Sequence, residues 1–372
     1  MNTRMRCATK AGAASVLLVS LTACGGLLPG GSSDSAAPVR KGNDVKIGLL
    51  LPEKEATRYE KFDQPIIKKQ ISELTDGQGK FVYANADQDA DLQNQQLQKM
   101  IDDKVDTVIV DAVDAHTIAA SVKKAKDAGI HVIAYDRLAE GPVDAFVGFD
   151  NELVGQTQGK ELVAALGTQG KKAKVVMING SPTDPNAKDF KSSAQEELEN
   201  SVTIAASYDT VAWKPQNAKA NMQQAITKLG ASNIAGVYSA NDGMAAGVIA
   251  ALKEAGVTKM PPITGQDAEL AAVRRILTGD QYMSVYKPYP DEAATAAEMA
   301  VRIAQGRDIE FEALATGRTD SPTTKQIHTA SVSVVALKRT NIKQTVVKDK
   351  IYTIKQICSD GYADACAEAG LK

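Results

Sequence analysis

Charged and amide side chains follow short apolar runs at many places in this chain. In "HVIAYDRLAEG" (131–141), an apolar run ends directly in Tyr135, Asp136 and Arg137. An acid and a base at the end of a strand form either a salt bridge that caps a loop or part of a polar site. Similar groups follow the other strand-like runs: Arg58 and Tyr59; Asn85 and Asp87; Asp111 and Asp114; Asn179, Ser181, Asp184 and Asn186; Asn241 and Asp242; Gln266 and Asp267; and Lys287.

The chemistry of these residues favours an uncharged polyol as ligand. Carboxylate, amide and guanidinium groups can each pair with one or two hydroxyls, which both donate and accept hydrogen bonds. The cations Arg58, Arg137 and Lys287 are offset by Asp184, Asp267 and a further acid, a balance that suits a neutral molecule better than an anion such as phosphate. The single Trp213 either lies against the C–H face of a sugar ring or packs in the core.

The elements that position these residues alternate between β-branched runs and helical patterns, which predicts parallel sheets covered by helices. The rhythm runs once to about residue 150 and then restarts, giving two similar α/β units joined near 148–155. Ligands bind beyond the carboxyl ends of parallel strands, so the repeated polar groups predict two halves of one cleft. The predicted strands are 44–50, 80–86, 106–112, 131–136, 145–150, 173–180, 202–209, 234–241, 261–267 and 281–287, and 330–338 is expected to return a strand to a sheet.

Other classes of protein fit this sequence less well. The three histidines, His116, His131 and His328, have no spacing typical of a catalytic triad or a metal site, and the body has no G-x-S-x-G or P-loop. We therefore expect no catalytic residue, no metal and no cofactor. A pair of strand-end carboxylates is chemically able to hydrolyse a glycoside, so a glycosidase remains the rival among enzymes.

The formal charge excludes an electrostatic nucleic-acid binder, which needs a basic face. The chain of 372 residues has a net charge of −2, and its first 23 residues carry Arg4, Arg6 and Lys10 with no acid. Removing that stretch lowers the net charge of the remaining chain by three units.

The first 23 residues have the pattern of an export signal. A basic start precedes the apolar stretch 11–21, which is too short to span a membrane permanently. The following "LTACGG" resembles a bacterial lipobox, which implies that Cys24 is lipidated and anchors the protein on the outer face of the cytoplasmic membrane or in the periplasm. The alternative is an ordinary signal peptide with an incidental cysteine. Residues 24–43 are rich in Gly, Ser and Pro and predict a flexible tether.

Of the four cysteines, Cys7 lies in the predicted signal, and the two beyond Cys24 predict a disulfide. Cys358 and Cys366 flank "SDGYADA" near the end of the chain, and an oxidising compartment favours their pairing. Closing so short a loop stabilises a fold by about 2.5 kcal/mol in the chain-entropy model. Two free thiols or a metal pair is the alternative.

Six motifs in register resemble one known family. "VIAYDR", "GFDNELVG", "GSPTDPNAK", "SAND", "GQDAE" and "VYKP" occur in this order. Across roughly residues 44–350 the chain is similar to the bacterial sugar-binding proteins of ABC importers, which have the type I periplasmic-binding-protein fold. The resemblance implies two doubly wound parallel-sheet lobes joined by three crossing segments. It also implies a monosaccharide ligand, D-xylose first, delivered by a monomer to an ABC permease and its ATPase.

The resemblance also implies a set of site residues. Pro185 replaces an Asn of the family pattern, and Tyr59 stands where the most similar members have a Trp, which leaves the choice of sugar ring open. The implied sugar-binding residues are Arg58, Tyr59 and Arg137 on the first lobe and Asp184, Asn186, Trp213, Asn241, Asp267 and Lys287 on the second.

The lobes and their hinge follow from the same resemblance. We expect a first lobe of 44–150 plus about 288–320, a second lobe of 151–287 plus about 325–350, and a tail of 351–372. The crossings are expected at Asp150 and Asn151, at Tyr286, and within 315–330.

Two binding functions compete with import of one sugar. A receptor for several sugars such as glucose, galactose and arabinose, with a chemosensory or signalling role, has the same site. A transcription regulator of this fold needs a DNA-binding motif ahead of residue 44, where this chain has the predicted signal and tether.

Overall fold

The central strands of the first sheet are short and buried on both faces, as continuous apolar runs of a parallel sheet predict. The computed structural model describes residues 41–54, 56–359 and 361–372, so the predicted signal, Cys24 and the tether up to residue 40 lie outside the described residues. The sheet begins with β1 (Lys46–Leu51), β2 (Lys80–Asn85), β3 (Thr107–Val110), β4 (His131–Tyr135) and β5 (Ala145–Phe149).

Two strands from late in the chain complete this sheet. They are β10 (Gly317–Thr319) and β11 (Ile327–Val332). The strand order is β10-β11-β5-β4-β3-β1-β2, and every neighbouring pair is parallel except β10 with β11. Helices cover both faces: α1 (Gln64–Leu74), α2 (Ala90–Asp102), α3 (Ala119–Asp127) and α9 (Tyr289–Ala304).

The second sheet repeats the same plan in the following half of the chain. Its strands are β6 (Lys174–Asn179), β7 (Thr203–Asp209), β8 (Gly236–Ser239), β9 (Ser284–Tyr286) and β12 (Val335–Leu337). β7, β6 and β8 pair in parallel, and β9 pairs antiparallel with β12. Ile263 bridges to Val237 and Gln266 bridges to Val285, so the segment between them connects the two groups of strands. The helices are α4 (Asn151–Leu166), α5 (Pro185–Glu199), α6 (Pro215–Leu229), α7 (Asp242–Glu254) and α8 (Leu270–Thr278).

The chain passes between the two sheets three times. It leaves the first sheet after Phe149 and returns from the second after Tyr286. The third crossing differs from the prediction, because β11 pairs with β5 in the first sheet and the chain crosses only between Val332 and Val335. The expected crossing within 315–330 and the assignment of about 325–350 to the second lobe are therefore wrong for β11. The alternating pattern of 330–338 predicts extended backbone, but it does not determine which sheet each part joins.

The end of the chain forms a small helical region. α10 (Asp308–Ala313) precedes β10, and α11 (Ile354–Ile357) and α12 (Ala363–Glu368) follow β12. A disulfide joins Cys358 to Cys366, and the Cys366 side chain is buried. Within the described ranges, no helix combines the length and the apolar character that a membrane span requires.

Glycines inside helices allow the helices of the second lobe to pack closely. A Cβ at Gly247 of α7 would lie 2.2 Å from the carbonyl oxygen of Pro215 at the start of α6. A Cβ at Gly155 of α4 would lie 2.4 Å from the carbonyl oxygen of Phe190 in α5. These pairs hold the helix N-termini, and the loops that precede them, at one edge of the sheet.

We predict that Gly247→Ala lowers the free energy of unfolding by about 1–3 kcal/mol, the usual cost of an extra methyl group in a packed contact. Gly243 lies on the same helix, but its added Cβ would meet nothing closer than 3.7 Å. Gly243→Ala should therefore stay within about 1 kcal/mol of the wild type, since Ala favours helix over Gly. Urea unfolding of both variants checks this, and equal effects would contradict it.

Candidate functional site

A cavity of about 30 Å³ lies where the carboxyl ends of the two sheets face each other. This volume is far below the roughly 300–1,000 Å³ typical of small-molecule pockets, so a ligand of that size enters only if the two lobes move apart. All nine predicted sugar-binding residues line the cavity, together with five others: Glu53, Ala56, Asp136, Phe190 and Gln266. Every lining residue except Ala56 is buried.

Local sequence signals place the side chains of the second lobe. Asp184 caps the N-terminus of α5 by accepting a hydrogen bond from the backbone N–H of Asn186 at 2.9 Å. Pro185 occupies the first helical position, where a backbone N–H has no partner within the helix and its absence therefore costs no hydrogen bond. Asn241 caps α7 in the same way through Met244. The polar residues at these strand ends therefore cap the following helices and also line the cavity.

The guanidinium of Arg58 is the most completely surrounded charge in the first lobe's half of the cavity. Its Nε donates to Asp63 at 2.9 Å and its Nη1 donates to Asp136 at 3.3 Å. Its Nη2 donates to Glu292 and to the Tyr135 hydroxyl. The rings of Tyr289, Tyr59 and Phe149 lie 4.6, 5.1 and 5.6 Å from its Cζ atom. Because its N–H groups are engaged by the protein, Arg58 positions other side chains more than it offers donors to the cavity.

Asp136 is the main acceptor that the predicted set of site residues left out. Its Oδ2 accepts from Tyr59 at 2.9 Å and from Arg58, while its buried Oδ1 has no hydrogen-bond partner among the described residues. Burial disfavours its charge, but the neighbouring cations Arg58, Lys287 and Arg137 hold the pKa of this carboxyl below its usual value. Asp136 is therefore an ionised carboxylate at the cavity wall.

Arg137 reaches from the first lobe to the second. Its Nε lies 2.8 Å from Oδ2 of Asp184, and its Nη1 donates to the carbonyl oxygen of Ala112. The Trp213 indole N–H donates to the same Asp184 oxygen at 3.1 Å. Burial raises the pKa of Asp184, and the charge of Arg137 opposes that shift.

Trp213 packs in the core, one of the two roles that the sequence left open, and it also borders the cavity. Its side chain packs edge-on against Phe190, with ring centroids 6.4 Å apart, and is part of the second lobe's core. A Cβ at Gly180 would lie 2.1 Å from the indole ring, so only glycine fits below it. The ring also lines the cavity.

Lys287 and Asp267 form the last charged pair. The Lys287 Nζ atom lies 3.2 Å from Oδ1 of Asp267. The rings of Phe149 and Phe190 lie 5.2 and 5.5 Å from the Lys287 Nζ atom. Gln266 precedes Asp267, and its buried Oε1 has no hydrogen-bond partner among the described residues. Each of the three cations lining the cavity thus faces a carboxylate, and two buried acceptors lack a protein donor.

The two lobes are in contact across the cavity. The Asn186 amide donates to the backbone carbonyl of Asp136 at 3.0 Å and accepts from Asn151 at 2.8 Å. Together with the Arg137 to Asp184 pair, these bonds define a closed arrangement. Of the predicted hinge residues, Asp150 caps α4 through Leu153, and Asn151 joins this interlobe network.

Sequence signals existed for most of the residues that the prediction missed. Glu53, Asp136 and Gln266 all follow strands, as the predicted residues do. Phe190 lies in α5 and resembles any core residue of a helix, so its place at the cavity had no local signal. Within the described part of the chain, no group of three or more His, Cys, Asp or Glu side chains is placed to hold a metal ion.

Three carboxylates share the single Arg58 cation, so they cannot all be ionised without cost. Burial raises the pKa of Glu292 well above its usual value, with Arg58 opposing the shift. Burial likewise raises the pKa of Asp63 to about 7. The carboxyl pKa of Asp in an unfolded chain is about 3.9. Between that pH and about pH 7, the folded protein therefore holds a proton on Asp63 that the unfolded chain releases.

We predict that the stability of the wild type relative to Asp63→Asn falls as the pH rises from 4 to 7. Because the folded-state pKa is raised, the stabilisation from this group is complete below the unfolded pKa and is lost as the pH approaches the folded value. Urea unfolding at several pH values should show a decrease of at least about 1 kcal/mol. Asp127→Asn, at an exposed side chain, is the control. A difference that stays flat or grows with pH would contradict the prediction.

Comparisons with known proteins agree with this architecture. A solute-binding protein of an ABC transporter from Clostridium phytofermentans, with bound β-D-glucose, superposes with a TM-score of 0.76 at 25% identity, covering 84% of this chain and 99% of that one. The multiple sugar-binding periplasmic receptor of Rhizobium radiobacter is 28% identical over 366 residues, or 91% of this chain and 99% of the receptor.

The family match covers most of both lobes. The D-xylose-binding periplasmic protein of Escherichia coli K12 is 33% identical over 313 residues, which cover 82% of this chain and 90% of that protein. The profile of the periplasmic binding protein domain matches residues 47–308, well over half of the chain. The chain therefore belongs to the periplasmic binding protein family and has its type I fold.

Proposed function

We propose that the protein is the extracytoplasmic sugar-binding component of an ABC importer. The observation that carries this proposal is the closed interlobe cavity, which is lined by all nine residues implied by the family resemblance. Relatives named for sugar binding, and a solved structure with bound β-D-glucose, support the same class of ligand.

The electrostatics of the cavity favour a neutral ligand. Arg58, Arg137 and Lys287 each face a carboxylate, so none of the cations among the described residues lining the cavity is left unpaired to attract a phosphate or carboxylate group. Buried acceptors without a donor are costly, and Asp136 Oδ1 and Gln266 Oε1 are two such atoms. Hydroxyl groups of a sugar supply donors to both.

Within the sugars, we propose D-xylose as the ligand. The 33% identity to the D-xylose-binding protein of Escherichia coli supports this choice. The alternative is a receptor for several sugars that also signals, which the multiple sugar-binding receptor of Rhizobium radiobacter supports. We propose that Tyr59 contributes to the choice between them; its hydroxyl donates to Asp136 at 2.9 Å and its ring lies 5.1 Å from the Arg58 Cζ atom.

The proposed mechanism is hinge closure. A sugar that contacts both lobes binds the closed form more tightly than the open form and so shifts the equilibrium toward it. The crossings after Phe149, after Tyr286 and between Val332 and Val335 are the segments that bend. The closed monomer then docks on the permease, whose ATPase drives uptake.

Export and lipid anchoring complete the proposal. The named relatives are periplasmic proteins, and the predicted signal peptide and Cys24 imply attachment to the outer face of the cytoplasmic membrane. A binding role is preferred to glycoside hydrolysis, because the cavity carboxylates Asp136, Asp184 and Asp267 are each paired with a cation.

Calorimetric titration with D-xylose, D-glucose, L-arabinose, D-galactose and D-ribose tests the function. We expect tight binding of D-xylose and much weaker binding of D-glucose. Comparable affinity for several aldoses would replace xylose import with the multiple-sugar alternative. No binding of any sugar would contradict the proposed ligand class.

We predict that Arg137→Ala and Asp267→Ala each weaken sugar binding by about 2–4 kcal/mol, because each truncation leaves a buried charge without its partner. Asp280→Ala is the matched control, since Asp280 pairs with Lys253 on the same lobe but at the surface. The same titration measures all three variants. An affinity within threefold of the wild type for either cavity variant would show that the site is misplaced.

A further inference from the structure

The last part of the chain packs where both lobes and all crossings meet. Residues 341–372, called the C-terminal segment below, lie beyond the residues 47–308 that match the family profile. The segment is described except for Asp360 and contains a π-helical turn (Lys343–Val347), α11, α12 and the disulfide. Its buried side chains are Ile342, Thr345, Val346, Ile351, Tyr352, Ile357, Cys366 and Leu371.

The segment is attached firmly to the second lobe. Arg274 of α8 donates from Nε to the carbonyl oxygen of Ile357 at 3.3 Å and from Nη2 to that of Gln356 at 2.7 Å. Both α11 and α12 pack against α8. The segment therefore moves with the second lobe.

One apolar cluster joins the segment to every crossing. Phe149 belongs to the first crossing, and Tyr286 and Tyr289 flank the second. Val332 and Val334 border the third. All five residues belong to the same apolar cluster as the C-terminal segment. The Tyr286 hydroxyl also donates to Asp349 of the segment at 3.0 Å.

Tyr352 connects this cluster to the first lobe. Its ring meets Phe62 edge-on, with centroids 5.9 Å apart, and Phe62 stacks on Tyr289 at 5.7 Å. The Tyr289 ring lies 4.6 Å from the guanidinium of Arg58, which in turn holds Asp136 at the cavity wall. A continuous series of contacts thus runs from the C-terminal segment to the sugar site.

We propose that Tyr352 is a positioning residue for ligand binding, through which the C-terminal segment holds the two lobes in the closed arrangement. The contact between Tyr352 and Phe62 crosses from an element attached to the second lobe to the first lobe, so it exists only while the lobes keep this relative position. Losing it shifts the equilibrium toward the open form and reduces the apparent affinity by the fraction of closed protein that is lost. This inference rests on the proposed sugar-binding function for its affinity measurement, but not for its second measurement.

The experiment compares Tyr352→Ala with the wild-type full chain in two measurements. The first is calorimetric titration with D-xylose and D-glucose, in which we expect affinity to fall roughly three- to thirtyfold, the usual range for changes along a contact network. The second needs no ligand. Trp213 is the only tryptophan of the chain, lines the cavity and is 8% exposed, so acrylamide quenching of its fluorescence should increase when the cleft opens.

Two controls separate positioning from folding. Tyr362→Ala removes a ring of the same segment that contacts Arg274 of the second lobe at 4.9 Å, and it should leave both measurements unchanged. Tyr352→Phe keeps the ring and should behave like the wild type. If Tyr352→Ala does not fold, Phe62→Leu removes the same ring contact from the first lobe and should give the same two changes.

The outcomes decide the proposal in each case. Weaker binding with increased quenching in Tyr352→Ala, and neither change in Tyr362→Ala, would support it. Unchanged quenching, or equal effects of Tyr352→Ala and Tyr362→Ala, would overturn it. If the wild type binds neither sugar, the proposed function is wrong, and the quenching measurement alone decides whether Tyr352 positions the lobes.

Discussion

The buried guanidinium of Arg58 is the interaction on which the first lobe's half of the cavity depends. A cation removed from water is stable only where carboxylates and aromatic faces surround it. Here the carboxylates come from the turn before α1, from the end of β4 and from α9, through Asp63, Asp136 and Glu292. One side chain therefore fixes three elements relative to each other. Because two of these carboxylates have raised pKa values, the cluster retains protons and keeps its charge close to balance without another cation.

The second constraint is that charges are paired across the cavity as well as within each lobe. Arg137 follows β4 of the first lobe, yet its nearest carboxylate is Asp184, which caps α5 of the second. The same carboxylate holds the Trp213 indole, so the closing contact and the orientation of the ring depend on one group. Lys287 and Asp267 form the third pair at the second crossing. Because the three cations that line the cavity are all paired, the proposed selectivity among neutral sugars would come from the geometry of hydroxyl contacts and from ring shape.

Much of this arrangement could be predicted from the sequence because it depends on local signals. Apolar runs of five or six residues gave the strands, and polar residues at their ends gave the cavity wall. Asp136 was missed as a site residue although it stands beside Arg137, because an acid next to a base is equally typical of a loop cap. Phe190 had no signal, since a helix residue that faces a cavity has the same pattern as one that faces the core. The third crossing was placed too early because alternation defines extended backbone but not the sheet that it joins, and only long-range pairing separates β11 from β12.

The hydrogen bonds and ion pairs between the lobes reduce the free energy that a ligand must supply to close them. Asn186 bonds to the backbone of Asp136, and Arg137 pairs with Asp184, through protein atoms alone. Closure therefore has favourable contacts of its own, opposed by the conformational freedom that the open form regains. A ligand shifts such an equilibrium only by the difference between its affinities for the two forms. The acceptors Asp136 Oδ1 and Gln266 Oε1 lie on opposite lobes, so under the proposed function a sugar that donates to both would contribute to that difference.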